Sequence, residues 1–240
     1  MAAPKTSPST STPRSITPTF VRNWLKTLND AALKDVVPDP KAGAVFSADM
    51  INAFLREGPL SSERVNAITD PVIDVFGAAY AHGLRHFVLL QDAHGEESPE
   101  FRAYPPHAVK GTSEARTIPE LESLSFAQEL TLIEKVSLNP AIESRFDAWL
   151  DQHPEVTKAI VVGNCTDLCV YQLAMHMRMR ANAKHLHAFD VIVPANAVET
   201  FDIPVAASQG PGIAHPGDFF HEVFLYHMAS NGIRIVKSLA

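Results

Sequence analysis

The chain has 240 residues, of which 46% are hydrophobic and 20% charged, a balance typical of a globular protein with a sizeable core. Its formal net charge of −7 speaks against nucleic acid as a partner, because nucleic-acid binders carry basic faces. No run of 18 apolar residues occurs, so we expect no membrane span. Cys165 and Cys169 are too few for a disulfide framework, and a cytoplasmic location is expected.

The first 19 residues are dominated by Ser, Thr and Pro. Residues 1–19 are therefore predicted to be a disordered tail, since they cannot offset the entropy of ordering. Up to Asn29 the chain also carries Lys5, Arg14, Arg22 and Lys26 without any acid, which weakly resembles an organelle transit peptide. Organelle targeting therefore stays open as an alternative.

A helical extension is predicted after the tail. Apolar residues from Phe20 to Leu33 fall near helical spacing, which predicts a short helix laid on the domain. The prolines in residues 35–40 end this segment, so residues 20–40 are assigned to the extension and residues 41–240 to one domain.

Beyond residue 41, short apolar strands alternate with helices. The predicted strands are Ala44–Ala48, His86–Gln91, Leu130–Glu134, Ala159–Val162, His187–Val193 and Arg234–Val236. The predicted helices are Ser61–His82, Ala141–Gln152, Asp167–Arg180 and Asp218–Ser230. This alternation predicts an α/β fold, a three-layer sandwich whose mostly parallel sheet of about six strands is covered by helices on both faces.

Reactive side chains follow four of these strands. Asp49 comes after the first, Asp92 and His94 after the second, Lys135 after the third, and the segment ending at Cys169 after the fourth. Right-handed crossovers bring the carboxyl ends of parallel strands to one edge, where ligands bind in such sheets. An acid, an ammonium group, a thiol and possible metal ligands are therefore predicted to converge.

Cys169 is the candidate nucleophile. Thr166 suits a helix N-cap, which places Cys169 in the first turn, where the positive helix end would lower its pKa from about 8.5 to about 3.5–7.5. Asp49 could shuttle a proton, and Lys135 could favour the charged forms of Asp49 and the thiol. The competing interpretations are a buried apolar cysteine, a loop acid and a solvated lysine.

A metal centre is predicted in the loop after the second strand. Its candidate ligands are Asp92, His94, Glu100 and His107, a mixed nitrogen and oxygen set that suits zinc, iron or manganese. The alternative is two loop histidines that only form hydrogen bonds.

Two segments carry a family resemblance. Residues 45–54 around Asp49 and residues 163–170 around Cys169 resemble motifs of the isochorismatase-like cysteine hydrolases, and Lys135 ends the intervening strand as in that family. Within this superfamily, the loop from Asp92 to Thr112 resembles the nicotinamidase branch. The resemblance covers residues 44–237 and identifies residues 41–240 as an isochorismatase-like hydrolase domain.

The resemblance implies hydrolysis of a small amide, with nicotinamide and water giving nicotinate and ammonia through a thioester. Cys169, Asp49 and Lys135 would be catalytic. A cis peptide at Asn164–Cys165 would direct the backbone amides of Cys165 and Cys169 at the oxyanion.

The same resemblance implies a cofactor and a substrate pocket. Asp92, His94 and His107 would bind one divalent ion per chain, zinc foremost, with Glu100 as a weaker fourth ligand. The aromatic residues flanking a pyridine ring would be Phe54 and Tyr104. A homo-oligomer is expected.

One departure and three alternatives accompany this interpretation. Residues 136–141 (Val-Ser-Leu-Asn-Pro-Ala) replace an aromatic and Ser-Ala-Phe-like stretch that many nicotinamidases carry, so one pocket wall differs. The alternatives are a related hydrolase of another small amide or ureido compound, a thiol redox or metal-storage protein using Cys165 and Cys169, and an inert binding module.

Overall fold

The structure, a computed structural model, describes residues 17–205 and 213–240. The first 16 positions of the predicted tail lie outside the described residues. Thr17, in contrast, is buried, and the first helix begins at Thr19. None of the described helices is long and apolar enough to cross a membrane.

A parallel sheet forms the centre of the fold. Its strands in the described residues are β1 Gly43–Ala48, β2 His86–Asp92, β3 Leu130–Lys135, β4 Lys158–Asn164, β5 Asp190–Pro194, β6 Val198–Glu199 and β7 Arg234–Val236. Six lie in the order β3-β2-β1-β4-β5-β7, and β6 pairs with the carboxyl end of β4, beyond the residues that pair with β5. All pairings between these strands are parallel. The six predicted strands are confirmed, whereas the two-residue β6 is too short to show a sequence period.

Helices cover both faces of this sheet. They are α1 Thr19–Leu25, α2 Leu33–Val36, α3 Asn52–Leu55, α4 Glu63–Asn66, α5 Thr69–His82, α6 Pro119–Glu122, α7 Phe146–Gln152, α8 Cys169–Ala183 and α9 Gly217–Ser230. One apolar core joins the sheet to α7, α8 and α9, and a second joins the other face to α2, α5 and α6. Alternate residues of β1 enter different cores, Phe46 the first and Val45 the second. The predicted three-layer sandwich is therefore confirmed.

Two predicted helices have the wrong extent. The segment Ser61–His82 is not one helix but α4 and α5, with a break before Thr69. Pro71 explains the break, because it has no N–H to donate to the carbonyl four residues earlier and is tolerated only in a first turn. The predicted helix Ala141–Gln152 begins only at Phe146, after Glu143 adopts a left-handed φ of 53°.

The N-terminal extension is also less helical than predicted. Helix α1 ends at Leu25, and the backbone around Ala31 then pairs with the C-terminal segment: Ala31 donates to the carbonyl of Ser238 at 2.9 Å. The ring of Trp24 packs edge-on against Tyr226 of α9, with centroids 5.2 Å apart. The extension therefore lies on the domain through α1 and a short strand-like contact.

Candidate active site and metal centre

The strand register brings the reactive segments to one edge. Asp92 at the end of β2 stands opposite Lys135 of β3, and Ala48 at the end of β1 stands opposite Gly163 of β4. At Gly163, with φ of 107°, a Cβ atom would lie 2.1 Å from the carbonyl oxygen of Ala48, so only glycine permits this close approach. The side chain of Asn164 then donates to the carbonyl of Asp49 at 2.7 Å, which joins the ends of β1 and β4.

Lys135 lies at the centre of the site. Its side chain is only 1% exposed, and its Nζ is 2.8 Å from Asp49 Oδ2 and 2.6 Å from Asp92 Oδ1. The same Nζ lies 3.4 Å from the sulfur of Cys169. The structure thus brings together the carboxylate, ammonium and thiol that the sequence predicted would converge, and Lys135 is not the solvated lysine of the competing interpretation.

Burial and charge set the protonation of these groups. Burial and the neighbouring Asp92 raise the pKa of Asp49 to about 6, against the opposing effect of Lys135. Burial favours neutral Lys135, but the charges of Asp49 and Asp92 outweigh it and raise the lysine pKa above its ordinary value. The ammonium therefore stays charged between two carboxyl groups.

The predicted low pKa of Cys169 is wrong. Burial, followed by the charge of Asp49, raises the pKa of this thiol above its ordinary value despite Lys135. Cys169 does begin helix α8, but Leu168 is the N-cap and no side chain caps the helix. The hydroxyl of Thr166, the predicted cap, instead lies 2.9 Å from His221 Nδ1. At rest the site pairs a protonated thiol with a carboxyl group that can receive its proton.

The four predicted metal ligands also lie together. One ligand atom from each of Asp92, His94, Glu100 and His107 lies within 4.8 Å of the others. His94 Nε2 is 3.6 Å from Asp92 Oδ1 and 3.9 Å from Glu100 Oε1. Ligands about 2.0–2.1 Å from one tetrahedral ion are about 3.3 Å apart, so a small inward movement would close this set.

Two features of the histidines fit a cation. His94 Nε2 is buried and has no hydrogen-bond partner among the described residues, which argues against a merely hydrogen-bonding histidine. His107 Nδ1 lies 2.8 Å from the carbonyl of Pro105, which leaves Nε2 with a free lone pair. The donor set and the orphaned nitrogen together suit a divalent ion.

A small cavity opens beside Cys169. Phe54 and Tyr104, predicted as substrate-binding residues, both line it. The acids lining it are Asp49, Asp92 and Glu100, and no lysine or arginine is found among its described lining residues. Most of the remaining wall is apolar and includes Leu60, Val65, Leu138 and Phe201.

Several of these positions were not predicted. Leu138 lies in the segment 136–141, and the departure of this segment from the nicotinamidase pattern was the one sequence feature that pointed to it. Phe201 follows strand β6, which was not predicted. Asn164 adjoins the cysteine motif but carried no predicted role for its side chain. The ion pair between Lys135 and Asp92 was also missed, because Asp92 was considered only as a metal ligand. The predicted cis peptide at Asn164–Cys165 is present.

Fold and site together define the class of protein. Residues 43–207 match the family model of the Isochorismatase domain, and the chain belongs to that family. Within the family, it is 31% identical over 159 residues to Nicotinamidase 1 of Arabidopsis thaliana. That match covers 62% of this chain and 64% of the relative, slightly less than two thirds of its length.

Solved structures share this fold. A nicotinamidase, PncA from Bacillus subtilis, is 26% identical with a TM-score of 0.62, covering 81% of this chain and 99% of that chain. An N-carbamoylsarcosine amidase from Thermoplasma acidophilum is 20% identical with a TM-score of 0.62, covering 81% of this chain and 95% of that one. The second likeness concerns the fold alone.

Proposed function

We propose that this protein is a metal-containing cysteine amidohydrolase that converts nicotinamide and water to nicotinate and ammonia. One observation carries the proposal: a single buried ammonium, Lys135 Nζ, lies within 3.4 Å of the Cys169 sulfur while it pairs with Asp49 and Asp92. The similarity to Nicotinamidase 1 of Arabidopsis thaliana supports the choice of amide.

The reaction would proceed by acyl transfer in two stages. The sulfur of Cys169 attacks the carboxamide carbon while its proton passes to Asp49, and the carbonyl oxygen takes up negative charge near the backbone amides of Cys165 and Cys169. Asp49 then gives the proton to the departing nitrogen, so that ammonia leaves and a thioester remains. In the second stage Asp49 takes a proton from water as the water oxygen attacks the thioester. The C–S bond then breaks, the acid leaves, and Asp49 returns the proton to the sulfur.

The raised pKa values fit this order of events. A carboxyl group with a pKa of about 6 can both accept and return a proton near neutral pH. The thiol becomes an anion only as it attacks, beside the permanent charge of Lys135. The lysine therefore stabilises negative charge without giving up its own proton.

Asp92, His94 and His107 would hold one divalent ion, with Glu100 as a weaker fourth ligand, and we propose zinc ahead of iron or manganese. A bound ion of this kind acts as a Lewis acid that polarises the groups bound to it. Because the lining residue His107 is also a candidate ligand, the ion would adjoin the cavity that receives the substrate.

The cavity favours a neutral aromatic amide. Phe54 and Tyr104 provide rings for contact with a flat substrate, and Leu138 adds apolar surface. These aromatic and apolar contacts favour a flat neutral amide such as nicotinamide over a ureido compound, which is the nearest alternative substrate class.

The decisive experiment measures ammonia release from nicotinamide, pyrazinamide and an anionic ureido compound by the purified protein. We expect release from the first two amides, its loss in Cys169→Ala, and its retention in the matched variant Cys165→Ala, whose thiol has no role in the steps above. No ammonia release from the wild type, together with an oxidisable Cys165–Cys169 pair, would favour the thiol-pair alternative. Release from the ureido compound alone would remove nicotinamide as the substrate.

We also propose a homo-oligomer and a cytoplasmic location. Leu132, Val136 and Ile142, on the edge strand β3 and just beyond it, are each about half exposed, which gives a second copy an apolar surface. Light scattering coupled to gel filtration would test the assembly.

A further inference from the structure

A second group of metal-ligating side chains lies at the opposite edge of the sheet. His86 begins β2, and His153 and Glu155 lie between α7 and β4, so the group is at the amino-terminal ends of the strands. One ligand atom of each lies within 4.8 Å of the others. His86 Nε2 is 3.2 Å from Glu155 Oε1, and the two imidazole rings meet edge-on with centroids 4.8 Å apart. Neither the proposed reaction nor the first metal centre uses these residues.

The local structure prepares His153 as a ligand. Its Nδ1 lies 2.8 Å from the backbone carbonyl of Trp149, and a carbonyl only accepts, so Nδ1 carries the hydrogen and Nε2 keeps a free lone pair. This is the arrangement that orients metal-binding histidines, and His107 has it too, through the carbonyl of Pro105. The His153 ring also stacks on the indole of Trp149 at 4.0 Å, which restricts its rotation.

We propose that His86, His153 and Glu155 form a second divalent-metal site. Two imidazoles and one carboxylate suit zinc and the neighbouring transition metals rather than magnesium or calcium, which prefer oxygen ligands. The ligands are partly exposed, with side-chain exposures of 28% for His86 and 47% for Glu155, so water would complete the coordination. With three protein ligands, the site would bind less tightly than a closed structural zinc site.

This ion would join two parts of the fold. His86 is separated by more than 60 residues from His153 and Glu155, so the three ligands come together only in the folded chain. Binding to the folded state alone raises stability by mass action. The site would therefore stabilise the amino-terminal end of the central strands, away from the cavity.

The test is zinc stoichiometry by equilibrium dialysis of chelator-treated, full-length protein. We expect the wild type to retain two ions per chain, and His94→Ala, His153→Phe and Glu155→Gln one each. The phenylalanine keeps a ring to stack on Trp149, and the glutamine keeps the size of the glutamate. His187→Ala, on a surface histidine outside the cluster, serves as the matched control and should retain both ions. The double variant His94→Ala/His153→Phe should retain neither.

The outcomes separate the two metal sites. If His94→Ala retains a zinc ion and the double variant retains none, the second site is supported, even if the first centre holds no zinc. Unchanged stoichiometry in both His153→Phe and Glu155→Gln overturns the proposal. We also expect zinc to raise the melting temperature of His94→Ala but not of the double variant. Circular dichroism of each variant confirms that lost binding is not lost folding.

Discussion

Replacing Lys135 by methionine tests the central contact of the site. The change keeps an unbranched side chain one atom shorter but leaves Asp49 and Asp92 facing each other in a buried environment without their cation. Removing one partner of a buried ion pair costs about 3–5 kcal/mol, whereas a domain has only about 5–15 kcal/mol of stability. We therefore expect Lys135→Met to lose about a fifth or more of the free energy of unfolding, as well as all hydrolysis.

Urea unfolding of chelator-treated protein at pH 8 measures this loss, with Lys110→Met as the matched control. Lys110 pairs with Glu134 on the surface, and such a pair contributes less than about 1 kcal/mol. We expect this loss of stability to be smaller at pH 5. Without the lysine, the carboxyl groups of Asp49 and Asp92 bind protons more tightly in the folded state than in the unfolded chain, where their pKa values are ordinary. Lowering the pH therefore stabilises the folded variant. A loss no larger than that of Lys110→Met would refute the reasoning about the buried cation.

Three further outcomes are expected. Asp49→Asn should abolish hydrolysis, measured as ammonia release, because the carboxyl group that shuttles the proton is gone; release at the wild-type rate would contradict that role. His94→Ala should lower the bound metal by one ion per chain, measured by elemental analysis, and an unchanged content would exclude this centre. Protonated His215 donates its Nε2–H to Asp167 Oδ2 at 2.8 Å. Burial lowers the pKa of His215, but the hydrogen bond and the charge of Asp167 outweigh it and raise the pKa. This stabilisation is complete below pH about 6.5 and is lost as pH rises through the higher folded pKa, so His215→Phe should cost more stability at pH 5.5 than at pH 8.5 in urea unfolding; a pH-independent cost would contradict the pairing.

The sheet could be predicted because its signal is local. Strands such as β1 and β4 are continuous apolar runs followed directly by reactive residues, and parallel topology then places those residues at one edge. Helix boundaries depend on weaker and partly distant effects. The break before Thr69 follows from Pro71 and could have been predicted from the sequence. The end of α1 could not, because it reflects pairing of Ala31 with a C-terminal segment about 200 residues away.

The composition of the site was predicted better than its electrostatics. The position of Cys169 at a helix start suggested a low pKa, because the helix end is visible in the sequence. Its burial and its distance to Asp49, 120 positions earlier, are not visible, and they act in the opposite direction. For the same reason, Asp92 was assigned to the metal alone, although the strand register also places it opposite Lys135.

That shared lysine means that the two halves of the site cannot be redesigned independently. A change of charge at Asp92, the last residue of β2, alters the balance felt by the same ammonium that faces Asp49 and the sulfur. A variant that lacks Asp92 would therefore also need a new neighbour for Lys135.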